Sequence, residues 1–358
     1  MKKNYFSIIL YCLIVLSSCQ KGISDLVADP NTKTDVYVAG AENNGGKSVA
    51  KYWKNGIAVN LTESSKIAEA YSIYVSGNDV YVAVKVYPDN PVYPGESIAT
   101  YWKNGIAVNL SNGILTTATS SITVSGNDVY VAGYGLIAHS NCPRCSPPIS
   151  FTAFAKYWKN CIPVNLTDSS VQNSIEDYAT SIAISGNDVY VAGVESAAFA
   201  FTKETAKYWK NGQPVNLSSR ESEANSIAVS GNDVYVAGEE DYKPTYWKNG
   251  IPVKLSDENG EANSIAVSGS GDVYVAGTEN IATGPIAKFW KNGSPVSLSS
   301  KASYATSIAV SGNDVYIAGG EHNGTNWIPT GYWKNGVRVN LTDGLNGASA
   351  NAIFIATK

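Results

Sequence analysis

The string Asp-Val-Tyr-Val-Ala-Gly occurs seven times in this chain with small changes, starting at Asp35, Asp79, Asp128, Asp188, Asp233, Asp272 and Asp314. A second string, Tyr-Trp-Lys-Asn-Gly, keeps step with it and places Trp53, Trp102, Trp158, Trp209, Trp247, Trp290 and Trp333. Repetition at intervals of 39 to 60 residues marks one supersecondary unit copied along the chain. Each copy reads as four short strands. Ser-Ile-Ala-Val (strand a) and Val-Tyr-Val-Ala (strand b) alternate with period two and are rich in β-branched and aromatic residues. Ser-Gly-Asn-Asp, a tight-turn composition, joins them. Tyr-Trp (strand c) and Val-Asn-Leu (strand d) flank Asn-Gly, the strongest short hairpin signal.

Two hairpins in a unit of this length are the anatomy of one propeller blade. Pro163, Pro214, Pro252 and Pro295 fall in strand d; proline cannot donate to a ladder, so d belongs at the outer edge. The first unit begins at strand b and lacks a strand a. Beyond the last strand d lies a spare strand a at 351–355. Six complete blades and one shared blade make seven, and pairing of the two chain ends closes the ring and removes open sheet edges. The expected fold is all-β: a seven-bladed β-propeller over 35–358. An open β-solenoid is the alternative, and the spare strand argues against it. The stretch 264–277 is similar to the a–b hairpin of NHL-type repeats. The Tyr-Trp-Lys-Asn-Gly hairpin departs from them and resembles that of uncharacterised repeat lipoproteins of Bacteroidetes-type bacteria, a resemblance that implies no activity.

Ahead of the repeats, Lys2 and Lys3 precede an apolar run at 6–16, too short to span a bilayer and suited to a signal-peptide core. The run ends in Leu16-Ser17-Ser18-Cys19, which resembles the lipobox of bacterial lipoproteins. The resemblance implies removal of 1–18, acylation of Cys19 and a polar tether over 19–34. It also implies membrane attachment by lipid, with Gln20 leaning towards the outer membrane.

The a–b and c–d turns hardly change from copy to copy, whereas the b–c and d–a connections change greatly. In an up-and-down blade all variable segments then fall on one face of the disc, around the mouth of the central channel, where function is expected. The longest of these loops, in the third blade, holds Tyr134, His139, Cys142, Cys145 and Phe151. Tyr87, Tyr93, Phe199, Phe201, Tyr242, His322 and Trp327 are the other candidates for a ligand-binding face, because rim aromatics suit glycan stacking or a protein hot spot. Trp327 is the one tryptophan outside the repeat; the other seven are expected to pack between blades. The aspartate of the a–b turn is expected to bond its own backbone.

Cys142 and Cys145 form a candidate disulfide in an oxidising envelope. With His139 and Cys161 they also offer zinc-type ligands, but Cys161 occupies a c–d turn and belongs on the opposite face. The string Gly133-x-Gly135-x-x-Ala138 mimics a dinucleotide fingerprint without the helix it should open. No nucleophile-elbow, zinc-protease or phosphate-loop motif occurs, and His139 and His322 are the only imidazoles. Hence no metal, no cofactor and no catalytic residues are expected. Only 3 of the 26 basic residues are arginine (Arg144, Arg220, Arg338), against 30 acids, which excludes a nucleic-acid partner. The sequence reads as a monomeric, lipid-anchored envelope module that binds a protein or glycan without catalysis. The alternative is a carbohydrate hydrolase or lyase using loop carboxylates such as Glu239, Glu240, Asp241 and Glu321.

Overall fold

A computed structural model describes residues 34–89, 96–111, 116–139, 150–168, 177–196, 204–322 and 330–358. They form a seven-bladed β-propeller: seven antiparallel sheets of four strands each, with no helix among the described residues. Blade 1 is built from both ends of the chain. Its strand order is Ala348–Thr357, Thr34–Asn44, Lys47–Lys54 and Ile57–Asn60, that is a, b, c, d. The C-terminal strand pairs Ile355 with Val36 and Ile353 with Val38, so the spare strand a closes the ring. Blades 2 to 7 span 67–109, 116–165, 178–216, 222–254, 260–297 and 303–340, each in the order a-b-c-d. The first ladder residue is Thr34, one earlier than the sequence pattern predicts. All four strand-d prolines lie on the edge, each opposite a repeat tryptophan.

The apolar residues form seven separate cores, one at each junction between blades. Trp102 of blade 2 packs with Tyr37, Ala39, Ala50 and Leu61 of blade 1. Trp158 packs on blade 2, Trp209 on blade 3, and so on round to Trp53, which packs on Tyr316 and Ala318 of blade 7. All seven repeat tryptophans are buried. They are packing residues, not sugar platforms. Each junction thus buries one large ring among smaller apolar side chains from both blades.

Strand a carries a β-bulge at the same place in every blade, for example between Ala224 and Ser226. The bulge pushes a strand-a carbonyl against the glycine of Val-Ala-Gly. A Cβ on Gly238 would lie 1.8 Å from the Glu223 carbonyl oxygen, and one on Gly40 would lie 1.8 Å from that of Ser349. In six blades glycine answers this close approach, not a turn. Only blade 2 departs, with Val84 at this position.

The bulges also stitch neighbouring blades together. The serine of Ser-Ile accepts the isoleucine N–H of the next blade: Ile227 donates to Ser181 Oγ (3.2 Å), Ile265 to Ser226 (3.2 Å) and Ile308 to Ser264 (3.2 Å). The bulged residue itself donates onward. Thr180 Oγ1 reaches the Ala224 carbonyl at 2.6 Å, Asn263 Nδ2 that of Ala305 at 2.9 Å, and Asn351 Nδ2 that of Ala70 at 2.9 Å.

Candidate functional site

The two ends of the propeller differ in kind. At the end holding the a–b and c–d turns, one clamp is repeated seven times. In blade 5 the Asn249 side chain donates to Asp233 Oδ1 (2.8 Å) and accepts from the Val234 N–H (2.9 Å). Lys248 lies 2.8 Å from Asp233 Oδ2 and 5.2 Å from the centre of the Tyr235 ring. Asn249 sits at φ 51° and Gly250 at φ 80°, the left-handed pair that an Asn-Gly hairpin needs. The same partners recur from Asp35–Asn55 to Asp314–Asn335. The turn aspartate therefore bonds the neighbouring hairpin and not its own backbone, which corrects the sequence expectation. It also explains why the two repeated strings travel together. Hydrogen bonds from Asn55 and then Lys358 hold the Asp35 carboxyl down at about 2. Cys161, at a c–d turn of this end, is a free thiol at φ 68° where the other blades have glycine.

The opposite end gathers the b–c and d–a connections. Cys19, Tyr93, Cys142, Cys145, Phe199, Phe201 and Trp327 lie outside the described residues, as does the tip of the third-blade loop. His139 is the last residue of strand b in blade 3, which runs without a helix through the glycine-rich string. Phe151 lies in the adjoining strand c, opposite Ala138. Tyr242 is 55% exposed at the b–c turn of blade 5, its hydroxyl donating to Glu221 Oε1 at 2.7 Å. His322 follows strand b of blade 7, its backbone N–H donating to the Ala302 carbonyl at 2.7 Å. Tyr242 and His322 thus stand on different blades.

Tyr134 and Tyr87 are the predicted residues that the fold brings into a cluster. The Tyr134 ring meets Tyr178 of blade 4 edge-on, centroids 4.8 Å apart. The hydroxyls of Tyr134 and Tyr87 lie against the Lys85 ammonium, which is 5.1 Å from the Tyr87 ring centre. Burial works against the Lys85 charge, but the two phenols reverse this and hold the ammonium above the usual lysine value. Tyr71, the bulged residue of blade 2, donates to Glu69 Oε2 at 2.7 Å. Burial, followed by Glu69, raises its phenol, which also feels Tyr87 and Tyr134. Two half-buried tyrosines, Tyr87 and Tyr134, thus hold one lysine, with Tyr178 against Tyr134 and Tyr71 close by.

Blades 5 and 6 supply a contrasting corner. Glu223 and Glu239 are directly opposed across strands a and b. Burial first, then Glu223, Glu261, Glu221 and Glu204, push the Glu239 carboxyl up to about 7. Burial and Glu223 raise Glu261 as well. The other loop acids named from sequence are tied locally. Ser218 donates to Glu240, Arg220 lies 2.9 Å from Asp241, and Ser299 donates to Glu321 at 2.7 Å. Among the described residues no three His, Cys, Asp or Glu side chains are grouped to hold a metal.

Sequence reasoning missed Tyr71, Lys85 and Tyr178. The signal was present as departures from the repeat. Two residues before the bulge, the inner strands carry Glu69, Ala118, Tyr178, Glu223, Glu261, Tyr304 and Ser349. Two residues after it, all seven carry isoleucine, from Ile73 to Ile353. The same strands are uniform at one end and diversified at the other.

No protein-family model matches this chain, and no curated protein sequence matches it. Among solved structures it is similar to a polysaccharide lyase, the ulvan lyase PL25, at 8% identity and TM-score 0.46, over 90% of this chain and 91% of that one. It is similar to Trypanosoma rangeli sialidase in complex with the inhibitor DANA at 9% identity and TM-score 0.42. That match covers 80% of this chain and 54% of the sialidase, so the chain spans about half the length of that neighbour. Sucrose-6-phosphate hydrolase from Lactobacillus gasseri matches at 10% identity and TM-score 0.36, over 80% and 84% of the two chains. At such identities the likeness concerns the propeller fold alone.

Proposed function

We propose that this chain is a non-catalytic binding module of the cell envelope, attached by lipid at Cys19, that takes a glycan or protein ligand on its variable end. The observation that supports this reading most is the Tyr71–Lys85–Tyr87–Tyr134–Tyr178 cluster. Three blades abandon the repeat at neighbouring positions, and their departures meet in one place. Tyrosine faces suit the apolar face of a sugar ring, while hydroxyls and an ammonium suit its polar edge. The experiment is a glycan array probed with the protein, beside Tyr134→Ala and Tyr178→Ala. Saturable binding reduced at least about tenfold in both variants is expected, as for loss of an aromatic hot spot. Binding unchanged in both variants removes the cluster from the site. Absence of any glycan signal leaves a protein ligand, sought by cross-linking in envelope extract.

One observation favours a second reading, a carbohydrate hydrolase or lyase. Glu239, held near neutrality beside Glu223, has the ionisation a general acid needs next to a carboxylate. Turnover of a polysaccharide panel, abolished by Glu239→Gln, would establish it.

A further inference from the structure

The constant end of the propeller carries a feature that packing does not explain. The first residue of strand d, just past the Asn-Gly turn, is Ile57 (73% exposed), Ile106 (72%), Ile162 (68%), Ile251 (69%) or Val337 (68%) in five of the seven blades. Blades 4 and 6 have Gln213 and Ser294 there. Isolated exposed aliphatics need no account, but five at equivalent points on one rim form a patterned apolar surface.

Three further observations say what covers it. The chain enters the propeller at this end: Thr34 pairs with Thr357, and Asp35 is held in the clamp by Asn55 and by Lys358. Thr34 follows Cys19 by 15 positions, at most roughly 50 Å of extended chain, so a lipid anchor at Cys19 joins the propeller through this end. The charges here also cancel, because each of the seven clamp lysines is ion-paired with its aspartate. The acidic excess of the chain lies elsewhere, with Glu204, Glu221, Glu223, Glu239 and Glu261 at the far end. An anionic bilayer repels that far end and not this one.

We infer that the constant end rests on a lipid surface, its five aliphatic hairpin tips entering the headgroup region, and that the variable end faces away from the membrane. This rests on the anchor reading above and adds an orientation to it. The half-exposed clamp lysines beside the tips suit the interface as well, since each presents an apolar body and a polar end.

The test uses the full acylated protein in phosphatidylethanolamine–phosphatidylglycerol vesicles containing spin-labelled lipid. Cys161 beside Ile162 is a native labelling point once Cys142 and Cys145 are serine. A second protein carries Tyr242→Cys with Cys161→Gly, the residue that the other blades use. Mass spectrometry of the N-terminal peptide reads acylation of Cys19 separately. A fluorophore on Cys161 should be quenched by the lipid spin label at least about threefold more than one on the Tyr242→Cys protein, as for a group in the interface. Changing Ile57, Ile106, Ile162, Ile251 and Val337 to Ser should remove the difference while acylation persists, with a thermal melt confirming that the variant is folded. Equal quenching at both positions, or stronger quenching at position 242, in acylated protein overturns the orientation. A Cys161 probe shielded only by dimer formation overturns it in favour of a second copy. Lack of the acyl mass overturns the anchor reading; the unacylated protein then decides the lipid contact alone, through quenching of the same Cys161 probe.

Discussion

Asn249 and its six counterparts do three things at once. Each adopts the left-handed conformation that its turn requires, satisfies a valine N–H on strand b, and fixes an aspartate. The paired lysine is half exposed, so its ion pair contributes little by itself. Asn249→Ala should therefore destabilise the protein by about 1–2 kcal/mol, the usual cost of an unsatisfied backbone donor. Asn249→Gly should recover the turn component only; urea unfolding of both variants separates the two effects. The carboxylates also predict how stability depends on pH. In the clamps, Asn and Lys partners lower the aspartates, Asp35 to about 2. Their contribution is complete above the unfolded value near 4 and is lost as pH falls towards 2. Glu239 has the opposite sign. Its folded value of about 7 exceeds the unfolded one, so the folded state holds the extra proton and stability declines as pH rises from about 4.5 to 7. The urea midpoint should peak near pH 5, and Glu239→Gln should make its alkaline side less steep while leaving the acid limb unchanged; the decline that remains belongs to Asp177 and Glu261, which burial also raises.

At the scale of the strand, the interblade stitch has one missing hydroxyl. Six blades donate an isoleucine N–H to the serine of the preceding blade, from Ile122 to Ser72 round to Ile353 to Ser307. Blade 2 cannot, because the position facing Ile73 is Ala352. Ala352→Ser should supply the acceptor and stabilise the protein by about 0.5–1.5 kcal/mol; thermal unfolding with Ala352→Gly as control checks it. The hairpins themselves were legible because period two, Asn-Gly and edge proline each act locally. Strand order and closure were legible because a seventh strand a had no other place to go. The bulge was not, since its only trace is one polar residue before Ser-Ile, and bulged and regular strands share the same alternation. The Tyr134 cluster was half legible. Tyr134 stood out as a loop-end aromatic, but Lys85 and Tyr178 lie within strands, where a sequence reading places packing, and each reaches Tyr134 only because neighbouring blades come together there.

For the whole molecule, seven cores arranged in a ring raise the question of what makes the ring a single unit. Each core is shared between two blades, so no blade buries its own apolar face alone. In an open stack the terminal repeats would each leave one face exposed. Closure removes both ends, and in this chain it depends on one strand. Ala348–Thr357 pairs along Thr34–Glu42 and also brings Ala350 and Ile353 to the core that holds Trp53 and Tyr316. Asn351 and Ile353 carry stitches to blades 2 and 7. Ending the chain at 347 would therefore break one sheet and two junctions together, and would leave the edge of strand b in blade 1 unpaired. The truncated protein should lose the single cooperative transition of the full chain, unfold at least roughly 10 °C lower, as loss of several kcal/mol implies, and associate through the bared edge. Adding the peptide 348–358 in trans should restore both the transition and the monomer, read by calorimetry and light scattering. A truncated protein that stayed monomeric with an unchanged transition would mean that six complete junctions suffice and that closure serves chiefly to protect the edge.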